Sequence, residues 1–209
     1  MSRLDTFIRR LQAQRLCLDV LAERLQGLPG PVLELGLGNG RTYDHLRERF
    51  PGRAIFVFDR QVAAHPDCIP PAEQLRLGDL VLAAHLTPGH TRGNMTWAWV
   101  SCENGRCLNM VDVGSLSAPD YQLVGNAKHP DLIKDYQASF AKIAALPCDI
   151  ALAPHPGMVD FWERIAKREQ GAADALIDPT RCRAYAEYAR ENFAAALAQQ
   201  QKDAVAAKP

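Results

Sequence analysis

The residues best suited to bind a ligand lie in a glycine-rich segment near the start of the chain. Gly36, Gly38 and Gly40 alternate with larger residues directly after a short apolar run at 32–35. Because glycine has no Cβ atom, the backbone can turn sharply there and approach a ligand closely. Asp59 ends the next apolar run, and its carboxylate, which only accepts hydrogen bonds, can hold both hydroxyls of a ribose. The pattern favours a nucleotide-like ligand over a turn that binds nothing.

Histidine and cysteine side chains, which could bind a metal, are scattered along the chain. His90 lies in the segment PGHTRGN, and His155 follows an apolar run in the sequence PHPG. A catalytic zinc ion usually has three protein ligands and a water molecule, so two histidines alone do not form such a site. The loop 65–71 holds one histidine, one aspartate and one cysteine without a second cluster, which favours a rigid loop beside the ligand. The other histidines lack ligand spacing, and they are His45, His65, His85 and His129.

The elements around the glycines follow the order strand, turn, helix, strand. Such a β-α-β unit builds a parallel sheet with a nucleotide site at the carboxyl ends of its strands. The helix after the glycines points its N-terminus at them, which favours an anionic or polar ligand. The predicted elements are an amphipathic helix at 4–27, strands at 32–35, 55–58 and 75–77, and a helix at 41–50.

The chain after Asp79 reads as a strand, a hairpin, a long loop and further elements. Asn104-Gly105 predicts a type I′ turn in a hairpin over 95–113. That turn places Cys102 opposite Cys107, close enough for a disulfide, although a reduced pair is equally compatible with the sequence. The remaining predicted elements are a helix at 130–146, a buried strand at 149–153, and helices at 159–169 and 179–202.

Composition and charge exclude several classes of function. The chain has 209 residues, of which 47% are hydrophobic and 23% charged, as in soluble globular proteins. Lys+Arg and Asp+Glu are equal at 24, so no basic surface favours nucleic acid or an anionic membrane. No apolar run reaches the ~20 residues of a membrane span. Charged residues interrupt the N-terminus too early for the apolar core of a signal peptide, so a cytoplasmic location is expected. The expected partner is a small-molecule ligand.

The glycine segment also carries a family resemblance. The sequence ELGLGNG, in which Glu34 lies two residues before the first glycine, looks like the first motif of class I S-adenosylmethionine-dependent methyltransferases. Residues 1–79 resemble one small bacterial family of that fold. The resemblance implies S-adenosylmethionine as cofactor, with an acid near the adenine amino group, for which Asp79 is the candidate. The cofactor-binding residues that it implies are Glu34, Gly36, Gly38, Gly40, Asp59 and Asp79.

Four later motifs, PGHTRGN, SLSAPDYQL, LPCDIALAPHPG and CRAYAEYA, are similar to those of subclass B3 metallo-β-lactamases and occur in the same order. Over residues 79–200 the chain resembles the C-terminal half of that family. By this resemblance His90 corresponds to the third histidine of the first zinc site and His155 to a histidine of the second. Two loop serines of the family help to hold water and the substrate carboxylate, and two of its cysteines pair. The residues implied for these roles are His90 and His155, Ser115 and Ser117, and Cys148 and Cys182.

Each part of the chain lacks residues that the family it resembles uses for its activity. Lactam hydrolysis in the B3 family uses two zinc ions that share a hydroxide. Most of their ligands come from an H-x-H-x-D-H loop, which this sequence does not contain. The metal set of His90 and His155 is therefore incomplete, and a competent lactamase site is not expected. The later methyltransferase strands, which build the acceptor pocket, are replaced by lactamase-like sequence.

The predicted fold class is α/β, with a Rossmann-like β-α-β segment joined to the C-terminal half of a metallo-β-lactamase αβ/βα sandwich. The predicted domains are 1–79 and 80–209, joined near 77–80 by a recombination that is natural or made in a laboratory. Three functions stay open: an S-adenosylmethionine binder without a known acceptor, a lactamase-like zinc hydrolase with an incomplete site, and an inactive hybrid. The oligomeric state is open. The disulfide-bonded half resembles exported proteins, in conflict with the expected cytoplasmic location.

Overall fold

The protein is an α/β chain that divides into two compact units, Met1–Pro71 and Ala72–Pro209. The computed structural model describes residues 2–35, 40–58, 68–69, 74–118 and 121–206. Each unit has its own sheet, one of three strands and one of five. The α/β fold class predicted from the sequence is confirmed.

The first unit is a short parallel sheet with helices between and before its strands. Its parallel strands lie in the order β1-β2-β3, and Val32 of β1 faces Ile55 of β2. Because parallel strands need a crossover connection, α2 joins β1 to β2 as the sequence predicts. The elements are α1 (Arg3–Leu25), β1 (Val32–Leu35), α2 (Arg41–Arg49), β2 (Ile55–Phe58) and β3 (Cys68–Ile69).

A small apolar core holds this unit together. The inner residues of β2, Ile55 and Val57, are buried with Tyr43 and Leu46 of α2 and with Ala22 of α1. The N-terminus of α1 is fixed by a capping box between Ser2 and Asp5. The helix predicted before the sheet is therefore confirmed, and residues near its C-terminus contribute to the core, whereas apolar residues nearer its start, such as Leu4 and Phe7, are exposed.

Two sequence predictions on strands are wrong. The strand predicted at 75–77 exists as β4 (Gln74–Leu77), but it pairs antiparallel with β5 (Leu80–Leu86) and belongs to the five-stranded sheet. Gly78, at φ +60°, makes the tight turn that returns the chain into β5. The parallel sheet takes its third strand from β3 instead, inside the segment 65–71 for which the sequence favours a rigid loop.

The second unit is the five-stranded sheet β4-β5-β6-β7-β8 with helices packed against it. The hairpin turn is confirmed, since Asn104 and Gly105 both have positive φ as a type I′ turn requires. Disulfides join Cys102 to Cys107 and Cys148 to Cys182. The further elements are β6 (Met95–Glu103), β7 (Arg106–Asp112), α3 (Leu132–Ala145), β8 (Ile150–Leu152), a 3-10 helix (Pro156–Val159), α4 (Phe161–Glu169) and α5 (Arg181–Ala206).

The core of the second unit lies between the sheet and helices α3 and α5. Val111 of β7 and Ala151 of β8 are buried against Tyr136 of α3 and Phe193 of α5. The rings of Tyr136 and Phe193 have their centroids 4.5 Å apart. None of the described helices combines the length and the apolar character that crossing a membrane requires.

Candidate functional site

The cofactor residues predicted in the first unit fall partly outside the described part of the chain. Gly36, Gly38 and Asp59 lie among the residues that are not described, whereas Glu34 and Gly40 are described. Gly40 precedes α2 at φ +77°, a left-handed conformation that favours glycine, and as a glycine it has no side chain with which to cap the helix. The helix dipole places a partial positive charge at this end of α2.

Glu34 is the most unusual side chain of the first unit. It lies on β1 with only 8% of its surface exposed, and its Oε2 atom has no hydrogen-bond partner among the described residues. Burial raises the pKa of this carboxyl from its usual 4.5 to about 7, and the negative charge of Asp44 in the first turn of α2 adds to the effect. A buried carboxylate without a donor is unfavourable, so this oxygen is suited to a ligand that brings one.

The sixth predicted cofactor residue belongs to the second unit. Asp79 follows Gly78 in the turn between β4 and β5. The methyltransferase resemblance makes it the candidate for the adenine contact, and the strand before it, β4, pairs antiparallel with β5 in the five-stranded sheet. The contact of Asp79 with the adenine stays a prediction.

His90 is held firmly by the loop that contains the two predicted serines. Its Nδ1 atom lies 2.8 Å from the backbone carbonyl oxygen of Ser117. Since a carbonyl only accepts hydrogen bonds, Nδ1 is the protonated nitrogen, and the lone pair of the neutral ring is on Nε2. The hydroxyl of Tyr121 donates to the backbone oxygen of His90 at 2.8 Å. His90 is thus oriented in the tautomer that could bind a metal through Nε2.

The serine loop, residues 114–118, is itself fixed by two buried tyrosines that sequence reasoning missed. The Tyr136 hydroxyl donates to the carbonyl oxygen of Ser117 at 2.8 Å, so this oxygen accepts from Tyr136 and His90 together. The Tyr185 hydroxyl donates to Gly114 and accepts from the amide of Leu116, both at 3.0 Å. Burial raises the pKa of both phenols, which keeps them protonated as donors. Nothing local in the sequence marks these contacts, which join residues far apart in the chain.

Ser115 and Ser117 do not form a nucleophilic pair with His90. Their Oγ atoms are 3.1 Å apart, and the Oγ of Ser117 is 3.3 Å from Nδ1 of His90. Nδ1 carries a proton that it donates to the Ser117 carbonyl, so it has no lone pair with which to accept the proton of a serine hydroxyl. The serines therefore line and support the site, as loop residues rather than nucleophiles.

The glycine before His90 is required by its surroundings. Gly89 has φ +151°, and a Cβ atom at this position would lie 2.8 Å from the ring of Tyr136. We expect Gly89→Ala to lower the free energy of unfolding of the second unit by about 2 kcal/mol, through backbone strain and the clash. Urea unfolding followed by tryptophan fluorescence measures this. Gly157→Ala, where nothing lies within 4 Å, should change it by less than about 0.5 kcal/mol, and equal losses would contradict the account.

The described residues do not bring a zinc ligand set together. His155 is exposed at the start of the 3-10 helix, and no group of three or more His, Cys, Asp or Glu side chains that could hold a metal exists within 2–35, 40–58, 68–69, 74–118 and 121–206. Two other histidines are engaged, since His45 contacts Asp19 at 2.9 Å and His129 accepts from Arg92 at 2.7 Å. The described residues therefore do not fit a two-zinc site.

Comparison with solved structures finds metallo-β-lactamases that are similar to most of the chain. The Rm3 metallo-β-lactamase is 29% identical, with a TM-score of 0.67, over 81% of this chain and 74% of its own. MEM-A1, a subclass B3 metallo-β-lactamase from a soil metagenome library, is 26% identical, with a TM-score of 0.72, over 87% and 81%. The native FEZ-1 metallo-β-lactamase from Legionella gormanii is 27% identical, with a TM-score of 0.68, over 82% and 75%.

Comparison with protein families gives a match to the N-terminal part of the chain. The family described as S-adenosyl-L-methionine methyltransferase matches residues 1–112, which is more than half of the chain. This match extends beyond the expected end of the resemblance at Asp79 and overlaps the hairpin of the second unit. The predicted junction near 77–80 lies between the boundary of the compact units, at Pro71–Ala72, and the end of the match. The chain therefore belongs to the S-adenosyl-L-methionine methyltransferase family and, like a chimera, is also similar in structure to subclass B3 metallo-β-lactamases.

Proposed function

We propose that the protein binds S-adenosylmethionine through its first unit. The single observation that carries the proposal is Glu34, whose Oε2 atom is buried and lacks a hydrogen-bond partner within the part of the chain that the structure describes. The cofactor has an ammonium group on its methionyl part, and such a cation both donates hydrogen bonds and favours the ionised carboxylate. The residues present therefore fit the cofactor that the family membership suggests.

The N-terminus of α2 supplies a favourable electrostatic field. Gly40 places the first turn of this helix directly after the glycine segment. The helix dipole there favours a carboxylate or another polar group of the ligand. We propose that Gly36 and Gly38 permit close approach to the ligand and that Asp59 holds its ribose hydroxyls.

The cofactor, when bound, supplies an activated methyl group for transfer to a nucleophile. The residues of this chain that we assign bind and orient the cofactor, and none is assigned to the acceptor or to proton removal. The proposal is therefore a cofactor-binding protein of the methyltransferase family, with an acceptor that its residues do not specify.

Cofactor affinity should depend on pH through Glu34. Only the ionised carboxylate attracts the ammonium, and with a pKa of about 7 roughly nine tenths of the free protein is protonated at pH 6. Because binding then requires loss of that proton, we expect the dissociation constant to be about tenfold larger at pH 6 than at pH 8. Isothermal titration calorimetry with S-adenosylmethionine at both pH values measures this.

The matched control for this experiment separates Glu34 from titration of the ligand. Glu34→Gln keeps the shape of the side chain but does not ionise, so its affinity should be weaker and should lose the part of the pH dependence that the protein contributes. Glu48→Gln changes a side chain of α2 that is 78% exposed and should behave as the unmodified protein does. A pH dependence that is the same in the Glu34→Gln variant would show that Glu34 is not the group that titrates.

A zinc hydrolase of lactamase type is the second candidate, and the orientation of His90 favours it. The Ser117 carbonyl holds Nδ1, which leaves the lone pair of Nε2 for a metal. One histidine rarely holds zinc, so after dialysis against zinc-free buffer we expect less than one zinc ion per chain by metal analysis. One or more tightly held ions, lost in the His90→Ala variant, would instead support the hydrolase.

A further inference from the structure

A cavity of about 300 Å3 lies in the second unit between the serine loop and α5. The serine loop contributes Leu116 and Ser117, the 3-10 helix contributes Met158, and α5 contributes Tyr188 and Phe193 among others. Its volume is at the lower end of the range for small-molecule sites in proteins. Neither the proposed cofactor site nor the predicted zinc ligands His90 and His155 account for this cavity.

The walls of this cavity select for a neutral ligand. The described residues that line it carry no charge at neutral pH, and the polar groups among them are the Ser117 hydroxyl, the Asn192 amide and the Tyr185 and Tyr188 hydroxyls. A charged ligand would lose its hydration there without gaining a counter-ion, which is strongly unfavourable. A neutral molecule with one hydrogen-bonding substituent could instead pair with one of these few polar groups.

The walls also favour an aromatic ligand. Tyr185, Tyr188 and Phe193 line the cavity from one helix, and Met158 supplies a polarisable thioether. Aromatic rings gain edge-to-face and offset-stacked contacts with such side chains beyond simple burial of apolar surface. Tyr188 is 60% exposed, so a bound ring would cover an aromatic side chain that otherwise faces solvent.

The cavity is preformed rather than made by movement of its walls. Tyr185 is fixed by its hydrogen bonds to Gly114 and Leu116, and Phe193 packs against Tyr136 in the core. The disulfide at Cys182 ties the start of α5 to the segment before β8. A rigid cavity lowers the entropy lost on binding.

We propose that this cavity is a binding site for a neutral bicyclic aromatic molecule. Ser117 lines the cavity and its Oγ lies 3.3 Å from Nδ1 of His90, so the ligand would contact the same loop that orients His90. The site lies within the second unit and does not depend on the proposed cofactor site, which lies in the first.

The test uses the full chain and two probes of the same ring size. 2-Naphthol is neutral at pH 7 and should bind saturably by calorimetry and by saturation-transfer NMR. 2-Naphthoate has the same rings with a negative charge and should bind at least tenfold more weakly. Failure of 2-naphthol to bind, or tighter binding of 2-naphthoate, would overturn the proposal.

Variants of α5 locate the bound probe. Ala196→Phe fills the cavity and should weaken 2-naphthol binding at least tenfold, whereas Ala195→Phe, at the exposed neighbouring position, should leave it unchanged. Tyr188→Ala removes one aromatic side chain from the wall of the cavity and should weaken binding at least threefold. Because Tyr188 is largely exposed, we expect the variant to fold. Unchanged affinity in both Ala196→Phe and Tyr188→Ala would place the probe elsewhere and overturn the proposal.

Discussion

Removal of the Cys148–Cys182 disulfide is expected to lower the free energy of unfolding of the second unit by about 4 kcal/mol. The bridge closes a loop of 34 residues, and in the chain-entropy account a loop of this length restricts the unfolded state by about that amount. The two cysteines are also buried, with 6% and 1% of their surfaces exposed. The double variant C148A/C182A tests this by urea unfolding.

Tryptophan fluorescence reports on the second unit alone. Trp97, Trp99 and Trp162 are the three tryptophans of the chain, and all lie after Ala72. The matched control is C102A/C107A, because that disulfide closes only five residues at the exposed hairpin tip and should contribute about 2 kcal/mol. Equal losses in the two double variants would contradict the loop-length argument.

A broad, non-cooperative transition in the unmodified protein would favour an inactive hybrid.

Replacement of Glu34 is expected to stabilise the first unit while it weakens ligand binding. The pKa of this carboxyl rises from 4.5 unfolded to about 7 folded, and each unit corresponds to about 1.36 kcal/mol. Below pH 4.5 both states hold the proton and nothing is lost. As pH rises from 4.5 to 7 the unfolded state ionises first, so stability falls, and above pH 7 the whole penalty of about 3 kcal/mol is present.

Glu34→Gln should therefore raise the free energy of unfolding of the first unit by about 3 kcal/mol at pH 8 and change it little at pH 4. Hydrogen exchange measured by mass spectrometry on peptides that contain β1 and β2 follows this unit separately. Glu48→Gln is the control, since its side chain is largely exposed. A Glu34→Gln variant that is less stable at pH 8 would show that the carboxylate has a partner in the folded protein.

The secondary-structure elements that the sequence predicts correctly are those that a local residue pattern specifies. The strands of β1 and β2 and the helix α2 follow from apolar runs and helical spacing, and their bounds are almost those observed. The hairpin follows from Asn104-Gly105, because a type I′ turn accepts these residues more readily than others. Each of these signals lies within a few residues of the element that it specifies.

The parts that could not be predicted depend on contacts between distant residues. A strand such as β4 has the same local pattern in either sheet, and only its pairing with β5 decides where it belongs. The tyrosines that fix the serine loop come from α3 and α5, and their contacts join positions 19 and 71 residues apart. The glycine-rich motif predicts Glu34 as a cofactor-binding residue. That its Oε2 atom has no hydrogen-bond partner among the described residues depends on tertiary packing, which the sequence does not show.

Calorimetric titration with S-adenosylmethionine tests the central claim most directly. We expect saturable heat from the unmodified protein, and an affinity weaker by about tenfold or more in the Asp59→Ala variant, because a charge-assisted hydrogen bond contributes about 1.5–3 kcal/mol. No heat from either protein, or the same dissociation constant for both, would show that the first unit does not hold the cofactor as proposed.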